Sequence, residues 1–228
     1  MLGEGGWFPG AGPLWLSIQL AGATTLILVI VGTPLAWWLS RTRGFWRTPV
    51  EAVVAMPIVL PPTVMGFYML ILLGPAGPLG KFWLSLSGDT LSFSFAGLVI
   101  ASCVYSLPFV VQPLQNAFQA VGEDSLETAA TLGARPIDAF FSVVVPQSMR
   151  GYLTAAVMGF AHTLGEFGVV LMVGGNIPGR TRVISIAIYD HVESLDYAKA
   201  HLLSAILLVF AFLALLFLYF VNRPRNHV

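Results

Sequence analysis

The chain has 228 residues, of which 57% are hydrophobic and only 10% are charged, and its 11 basic side chains balance 11 acidic ones. A soluble domain carries about 25% charged residues, so this composition excludes an ordinary soluble enzyme and predicts a protein that crosses a membrane several times. Backbone polar groups must pair internally in lipid, and we therefore expect an all-α helical bundle surrounded by membrane lipid. The neutral charge balance gives no indication of nucleic-acid binding.

Apolar stretches long enough to cross the hydrocarbon core, which takes about 20 residues, recur along the chain. They cover residues 14–39, 50–73, about 93–117, 153–173 and 202–221. The segment 74–91 is rich in Gly and Pro and is predicted to be a loop, whereas residues 183–195 have the pattern of an amphipathic surface helix. The sequence therefore predicts one membrane domain over residues 1–228 with about five transmembrane helices.

The second apolar stretch contains Pro57, Pro61 and Pro62. Each proline removes a backbone donor and crowds the preceding turn, so three of them are not expected within one uninterrupted helix. Irregular backbone at membrane depth is tolerated only where protein covers it or where it lines a wet cavity. Two interpretations are open: a kinked start of the span at the membrane surface, or a helix break beside a translocation path.

The distribution of basic residues predicts the orientation. With five spans and an external N-terminus, the cytoplasmic loops and tail hold Arg41, Arg43, Arg47, Arg135, Arg150, Arg223 and Arg225, and the external segments hold Lys81, Arg180, Arg182 and Lys199. Cytoplasmic loops of membrane proteins carry the excess of Lys and Arg. We therefore expect the C-terminus in the cytoplasm of a prokaryotic cell, with the polar segment 123–146 on the same side of its plasma membrane.

That polar segment has the signals of a short helix followed by a break. Acidic residues precede Ser125, a candidate N-cap, and negative charge is favourable at a helix N-terminus. Gly133 can end the helix by adopting a positive φ angle. The dipeptide Arg135-Pro136 begins a second segment, and Pro146 marks the start of the next membrane helix. On these signals alone the segment is an ordinary cytoplasmic loop.

A carboxylate lies deep within the fourth apolar stretch, in the run Gly165-Glu166-Phe167-Gly168. Such a group is costly in lipid and usually faces a bundle interior or a cavity, while flanking glycines allow another backbone to approach closely. Glu166 is therefore either a hydrogen-bonded group at a structural kink or part of a gate or subunit interface. His162 lies one turn earlier, so the two side chains are expected to share a helix face as an ionic or hydrogen-bonded pair. Two ligands are too few for a metal site.

The polar segment resembles the EAA loop of ABC-importer permeases. The residues that carry this resemblance are Glu127, Thr128, Ala129, Gly133, Val143, Val145 and Pro146. Thr128 replaces the first Ala of the family pattern, and the two valines replace its Ile and Leu. In that family the loop is a coupling helix that docks on the ATPase subunit, which implies an ATPase-coupling role for Glu127, Ala129, Gly133 and Pro146.

Two further stretches resemble permeases of this class: the first is similar to the corresponding segment of oxyanion permeases, and the second to the pattern of the molybdate/tungstate permeases. They are MPIVLPPTVMG at residues 56–66 and AHTLGEFGVVLMVGGNIPGRT at residues 161–181, and the likeness covers most of residues 48–182. It departs from the family at His162, where arginine is usual. The resemblance implies gate or pathway positions at Pro61, Pro62, His162, Gly165, Glu166, Phe167 and Gly168, and an outer-loop motif of Asn176, Pro178, Gly179 and Arg180. Arg180 and Arg182 either attract an anion to the outer mouth or form a solvated turn.

The resemblance implies a permease subunit of an ATP-driven importer for a tetrahedral oxyanion, either molybdate or tungstate. It also implies a second copy of the chain, two ATPase subunits and an external oxyanion-binding protein. No GxxxxGK[ST] phosphate loop is present, so we expect no ATPase activity and no cofactor in this chain.

Three alternatives stay open. A sulfate or thiosulfate permease has similar segments. An ion-coupled secondary transporter would use Glu166 as a proton carrier, although that class usually shows internal repeats. An intramembrane enzyme would need a nucleophile paired with a base, and the sequence offers no such pair.

Overall fold

The computed structural model describes residues 10–223, and every regular element in that part of the chain is a helix. The prediction of an all-α fold is therefore confirmed. In chain order the elements are α1 (Ala11–Arg41), α2 (Arg47–Val59), α3 (Pro62–Leu73), α4 (Pro78–Ser87), α5 (Phe95–Ala120), α6 (Glu123–Thr131), α7 (Pro136–Ala139), a π-helical turn (Phe140–Val144), α8 (Val145–Gln147), α9 (Met149–Gly165), α10 (Gly168–Gly174), α11 (Ile184–Glu193) and α12 (Tyr197–Asn222).

Between residues 10 and 223, three helices are long and apolar enough to cross a membrane, namely α1, α5 and α12. Two pairs meet the same criterion together but are bent at a break, by 113° between α2 and α3 and by 61° between α9 and α10. Counting each bent pair as one span gives five, which agrees with the predicted number. The fold is thus a membrane bundle in which two of the spans are broken helices.

The centre of the bundle is formed by α1, α5 and α9, whose buried residues Leu28, Val110 and Ala155 belong to one core. Small residues bring these helices close together. A Cβ atom on Gly159 would lie 2.6 Å from Val110 Cγ2, and one on Gly151 would lie 2.2 Å from Ala117 Cβ. By contrast, α12 keeps long apolar side chains exposed along its length, as expected of a helix that faces lipid.

The prolines of the second span have unequal effects. The expectation that the three prolines would not lie in one uninterrupted helix is confirmed, because a break separates α2 from α3, although Pro57 itself lies inside α2. The break falls at Leu60 and Pro61, whose backbones are extended with ψ angles of 138° and 137°. Pro62 then occupies the first turn of α3, where its missing N–H has no helical partner to lose.

The prediction that segment 74–91 is a loop is wrong in part, because the segment contains the ten-residue helix α4. Proline near the start and glycine just past the end are the usual bounds of a helix. Pro78 begins α4, and Gly88 ends it with a φ angle of +76°. The Gly and Pro residues that indicated a loop are therefore the boundaries of a short helix. The amphipathic helix predicted within 183–195 is present as α11.

Candidate functional site

The segment between α5 and α9 contains the predicted short helix. Helix α6 carries Glu123 and Asp124 in its first turn, as predicted, but its N-cap is Gly122 and not Ser125, which lies within the helix. Gly133 has a φ angle of +86°, as predicted, and the Ala134 N–H donates to Ala129 O at 3.0 Å to close the end of the helix. A Cβ atom on Gly133 would meet no atom within 4 Å, so the preference for glycine here comes from the backbone geometry.

The second half of this segment is shaped by its prolines. Arg135 has an extended backbone, and Pro136 begins α7. Pro146 has no N–H, and its ring would crowd the carbonyl group four residues earlier in a regular helix. The chain widens into a π-helical turn just before it, in which the Val145 N–H donates to Phe140 O. Pro146 itself lies in α8, directly ahead of the membrane helix α9.

The segment has a buried side and an exposed side. Ala129 and Ala139 are buried, and Val144 is completely so. Glu127 is exposed. The exposed side also carries three large apolar residues that are 84%, 71% and 66% exposed, respectively: Leu132, Ile137 and Phe141. These three residues are called the exposed apolar surface below. Large apolar side chains outside the membrane spans are typical of a surface that another protein covers.

The two broken spans contact each other near their breaks. A Cβ atom on Gly168 would lie 2.6 Å from Pro62 Cβ, and one on Gly66 would lie 2.7 Å from Met172 Cβ. The start of α10 therefore packs directly on α3. The predicted close approach is confirmed at Gly168, whereas a Cβ atom on Gly165 would meet nothing within 4 Å.

Glu166 is placed by the end of α9. The helix stops at Gly165, and Glu166 has an extended backbone with φ −66° and ψ 133°. The side chain is 4% exposed, and neither carboxylate oxygen has a hydrogen-bond partner among the described residues. The backbone O of Glu166 accepts a hydrogen bond from Ser185 Oγ at 2.6 Å.

His162 makes its contacts with α5. Its Nδ1 lies 2.9 Å from Ser106 Oγ, which is also 2.8 Å from Thr163 Oγ1. The imidazole ring stacks on Phe109, with a centroid distance of 3.8 Å. No hydrogen bond or ion pair between His162 and Glu166 occurs within residues 10–223. The prediction that they share a helix face as a pair is therefore wrong, because the helix ends between them.

The outer-loop motif forms a compact turn after α10, in which Gly179 has a φ angle of +71°. Thr181 Oγ1 donates to Gly174 O at 2.7 Å and fixes the turn to the end of that helix. Arg182 Nε donates to Asn176 Oδ1 at 2.5 Å, and Arg182 Nη1 lies 3.6 Å from Asp190 Oδ2. Pro178 and Arg180 are exposed. The two arginines therefore differ, since only the charge of Arg182 lies beside a carboxylate.

Two groups of residues were missed by sequence reasoning. One is the polar link from Ser106 to His162 and Thr163. The other is an aromatic cluster beneath α6, formed by Trp37, Phe118, Phe140 and Tyr152. Both consist of residues that are distant in sequence, so no local spacing indicated them. Within the described range 10–223, no group of three or more His, Cys, Asp or Glu side chains is arranged to hold a metal ion.

Broken membrane helices packed on each other, together with an exposed segment between two spans, define a helical membrane protein with interrupted spans. The chain matches the family of "binding-protein-dependent transport system inner membrane component" proteins over residues 28–225. It belongs to this family. The chain is therefore a component of a transport system of the inner membrane.

Relatives within this family cover nearly the whole chain. The chain is 58% identical to the molybdenum transport system permease protein ModB of Azotobacter vinelandii, over 91% of this chain and 92% of that protein. It is 31% identical to the sulfate transport system permease protein CysT of Synechocystis sp. (strain ATCC 27184 / PCC 6803 / Kazusa), over 93% of this chain and 76% of that protein.

A solved structure supports the same fold. A bacterial alginate ABC transporter, in complex with an alginate pentasaccharide-bound periplasmic protein, contains a chain that superposes with a TM-score of 0.73. The two sequences are 16% identical, and the superposition covers 93% of this chain and 77% of that chain. At this identity the likeness concerns the fold alone.

Proposed function

We propose that this chain is the membrane-spanning permease subunit of an ATP-driven importer of molybdate. The observation that carries the proposal is its 58% identity to a molybdenum transport permease across almost the full length of both chains. Tungstate has the same tetrahedral shape and charge as molybdate, so we expect both anions to be transported. The sulfate permease is a second candidate because it too covers most of the chain, but its identity is only 31%.

ATP hydrolysis is assigned to a partner ATPase that docks on the segment between α5 and α9. The exposed apolar surface of Leu132, Ile137 and Phe141 supports this assignment. We call this segment, about residues 123–146, the coupling loop. Separate roles within it are proposed for four residues: Glu127, Ala129, Gly133 and Pro146. Glu127 lies on its exposed side and Ala129 on its buried side, whereas Gly133 and Pro146 set the two turns of its backbone.

The pathway is proposed to lie beside the broken spans, between two copies of the chain. Irregular backbone at membrane depth needs protein or water beside it, and both breaks provide such backbone. The positions proposed to form the gate are Pro61, Pro62, His162, Gly165, Glu166, Phe167 and Gly168. Direct packing of Gly168 on Pro62 supports a gate in which the two breaks move together. The open space next to Gly165 is available to the second copy.

An external binding protein is proposed to deliver the anion to the turn formed by Asn176, Pro178, Gly179 and Arg180. This proposal places the turn on the external face of the membrane, with the N-terminus outside the cell and the C-terminus in the cytoplasm. Arg180 is exposed within the turn, whereas Arg182 is engaged by Asn176 and Asp190. Arg180 is therefore the cation that we assign to contact with a binding protein or its anion.

Reconstituted transport tests the proposal. Liposomes containing this chain and its ATPase, supplied with the binding protein outside and ATP inside, should take up labelled molybdate. Tungstate should compete at similar concentrations, and sulfate should compete only weakly. Sulfate uptake at equal efficiency would move the assignment to the sulfate class. Uptake driven by a proton gradient without ATP would instead support a secondary transporter.

A further inference from the structure

The C-terminal end of α1 lies beneath the coupling loop and holds the end of α5. The last carbonyl groups of a helix have no partners within that helix. Arg41 Nη2 donates to Val121 O at 2.9 Å and lies 3.4 Å from Phe118 O. A cation at a helix C-terminus is also favoured by the helix dipole. Arg41 therefore joins α1 to α5 at the point where the chain leaves the bundle for α6.

The same guanidinium group rests on the aromatic cluster. Its Cζ atom lies 4.7 Å from the centroid of the Trp37 ring, a distance at which a cation is attracted to the ring face. Trp37 packs edge-to-face against Phe118 of α5 and Phe140 of the π-helical turn, with centroid distances of 5.6 and 5.1 Å. Arg41 and Trp37 thus connect α1 to both ends of the coupling loop.

The cluster continues into the helix after the loop. Phe118 also packs against Tyr152 of α9, with a centroid distance of 5.8 Å, and Phe118 and Val144 are fully buried. Leu126 of α6 packs against this same core. Protein interiors are close-packed and transmit displacement instead of absorbing it. A movement of α6 therefore reaches α1, α5 and α9 through the aromatic cluster.

We propose that Arg41 is the positioning residue that transmits movement of the coupling loop to α1 and α5, an inference that rests on the ATPase docking proposed above. An arginine is needed at this position for two reasons. Its Nη2 atom reaches two carbonyl oxygens while the planar guanidinium group lies over the Trp37 ring, whereas the ammonium group of lysine is a point charge without a planar face.

Arg43, two residues further along, is a matched control. It forms an ion pair with Glu123 of α6 at 2.9 Å, but its side chain is 84% exposed and that of Glu123 is 65% exposed. Exposed ion pairs contribute little because water and salt screen them. Arg43 thus links the residues just after α1 to the coupling loop through an ion pair. Because this pair is exposed, it is not expected to transmit movement into the buried core.

The test is the ratio of molybdate transported to ATP hydrolysed by the complete complex in liposomes. Arg41→Lys should lower this ratio about fivefold or more, the lower range of coupling between linked sites. The complex should still assemble and hydrolyse ATP, because the exposed apolar surface is unchanged. Arg43→Gln should keep the wild-type ratio. Trp37→Leu should lower the ratio as Arg41→Lys does, and the double variant should lose little more than either single variant.

Any of the following outcomes would overturn the inference. If Arg41 only stabilises the bundle, Arg41→Lys will lower the thermal stability of the complex and leave the ratio unchanged. If charge beside the loop is all that matters, Arg43→Gln will lower the ratio equally. Should Arg41→Lys fail to insert into the membrane, a wild-type ratio in Trp37→Leu overturns the inference. Failure of the proposed function is distinguishable, because the wild-type complex would then not couple ATP hydrolysis to molybdate uptake.

Discussion

The proposed coupling loop joins two membrane spans, whereas the break between α9 and α10 lies within one span, and different forces hold the two regions. At Gly133 the turn is defined by a φ angle of +86°, and no atom lies within 4 Å of an added Cβ atom. The backbone at Gly168 packs directly on Pro62. A Cβ atom added to Gly168 would lie only 2.6 Å from Pro62 Cβ. The loop is therefore set by local backbone geometry, whereas the break is set by contacts between helices.

The largest effect is expected at Gly133. A positive φ angle is strained for any residue with a Cβ atom and most strained for a β-branched one. Gly133→Val should therefore distort the end of α6 at a cost of about 1–3 kcal/mol. We expect ATP-dependent molybdate uptake to fall by about tenfold or more, since that strain is comparable with the 1.4 kcal/mol of a tenfold change. Uptake into liposomes, normalised to the amount of inserted protein, measures it.

Gly133→Asn is the matched control for this prediction. Asparagine adopts the left-handed region more readily than other non-glycine residues, and its Cβ atom would meet no neighbour within 4 Å. This variant should keep most of the uptake. Equal losses in both variants would show that the absence of a side chain, and not the φ angle, is what the coupling loop requires.

The contrast between the two regions explains which predictions were correct. The bounds of α6 follow from signals within a few residues: acidic side chains at its start and Gly133 past its end. The pairing of His162 with Glu166 was predicted by the same kind of spacing rule, and it failed because α9 ends at Gly165. That end coincides with packing between α10 and α3, a contact between residues about one hundred positions apart.

Proline signals were informative only together with their position in the helix. Pro61 and Pro62 lie at the break, whereas Pro57, Pro108 and Pro113 lie inside helices. A single proline removes one hydrogen bond, which a packed membrane helix tolerates because neighbouring groups compensate. Adjacent prolines also force the residue before them into extended backbone. The doubled proline was therefore the reliable signal for the broken span.

The break between α9 and α10 is expected to be sensitive to one added methyl group. Gly168→Ala places a Cβ atom 2.6 Å from Pro62 Cβ, and overpacking of this kind costs about 1–3 kcal/mol. Gly165→Ala adds the same group where nothing lies within 4 Å. The free energy of unfolding in mixed micelles, measured by denaturing-detergent titration, should fall for Gly168→Ala alone. Equal destabilisation by both substitutions would contradict the packing of α10 on α3.

The link between α5 and α9 should appear as a coupling between Ser106 and His162. Their side chains lie 2.9 Å apart, and a net hydrogen bond contributes about 0.5–1.5 kcal/mol to stability. His162→Phe removes the bond and preserves a ring that can stack on Phe109. A double-mutant cycle of His162→Phe with Ser106→Ala should give an interaction energy in that range. Additive losses would show that stacking, and not the hydrogen bond, holds His162.

The smallest effect is expected for the cycle that joins His162→Phe with Glu166→Gln. A buried ion pair that loses one partner costs about 3–5 kcal/mol, because the remaining charge is left without compensation. In the structure the two groups are not paired: His162 contacts Ser106 and Phe109, and neither oxygen of the Glu166 carboxyl group has a hydrogen-bond partner among the described residues. Glu166→Gln replaces an unpartnered carboxyl with an amide of similar shape, so the free energy of unfolding should stay equal or rise slightly.

The interaction energy of this last cycle should lie within about 0.5 kcal/mol of zero, as for sites that share no partner. The same mixed-micelle titration measures both cycles, so the Ser106 cycle provides the positive control for the method. An interaction energy above about 1 kcal/mol between His162 and Glu166, beyond what independent sites show, would mean that the two side chains contact each other. The extended backbone at Glu166 would then be wrong, and α9 would continue through the break as the spacing of the two residues first indicated.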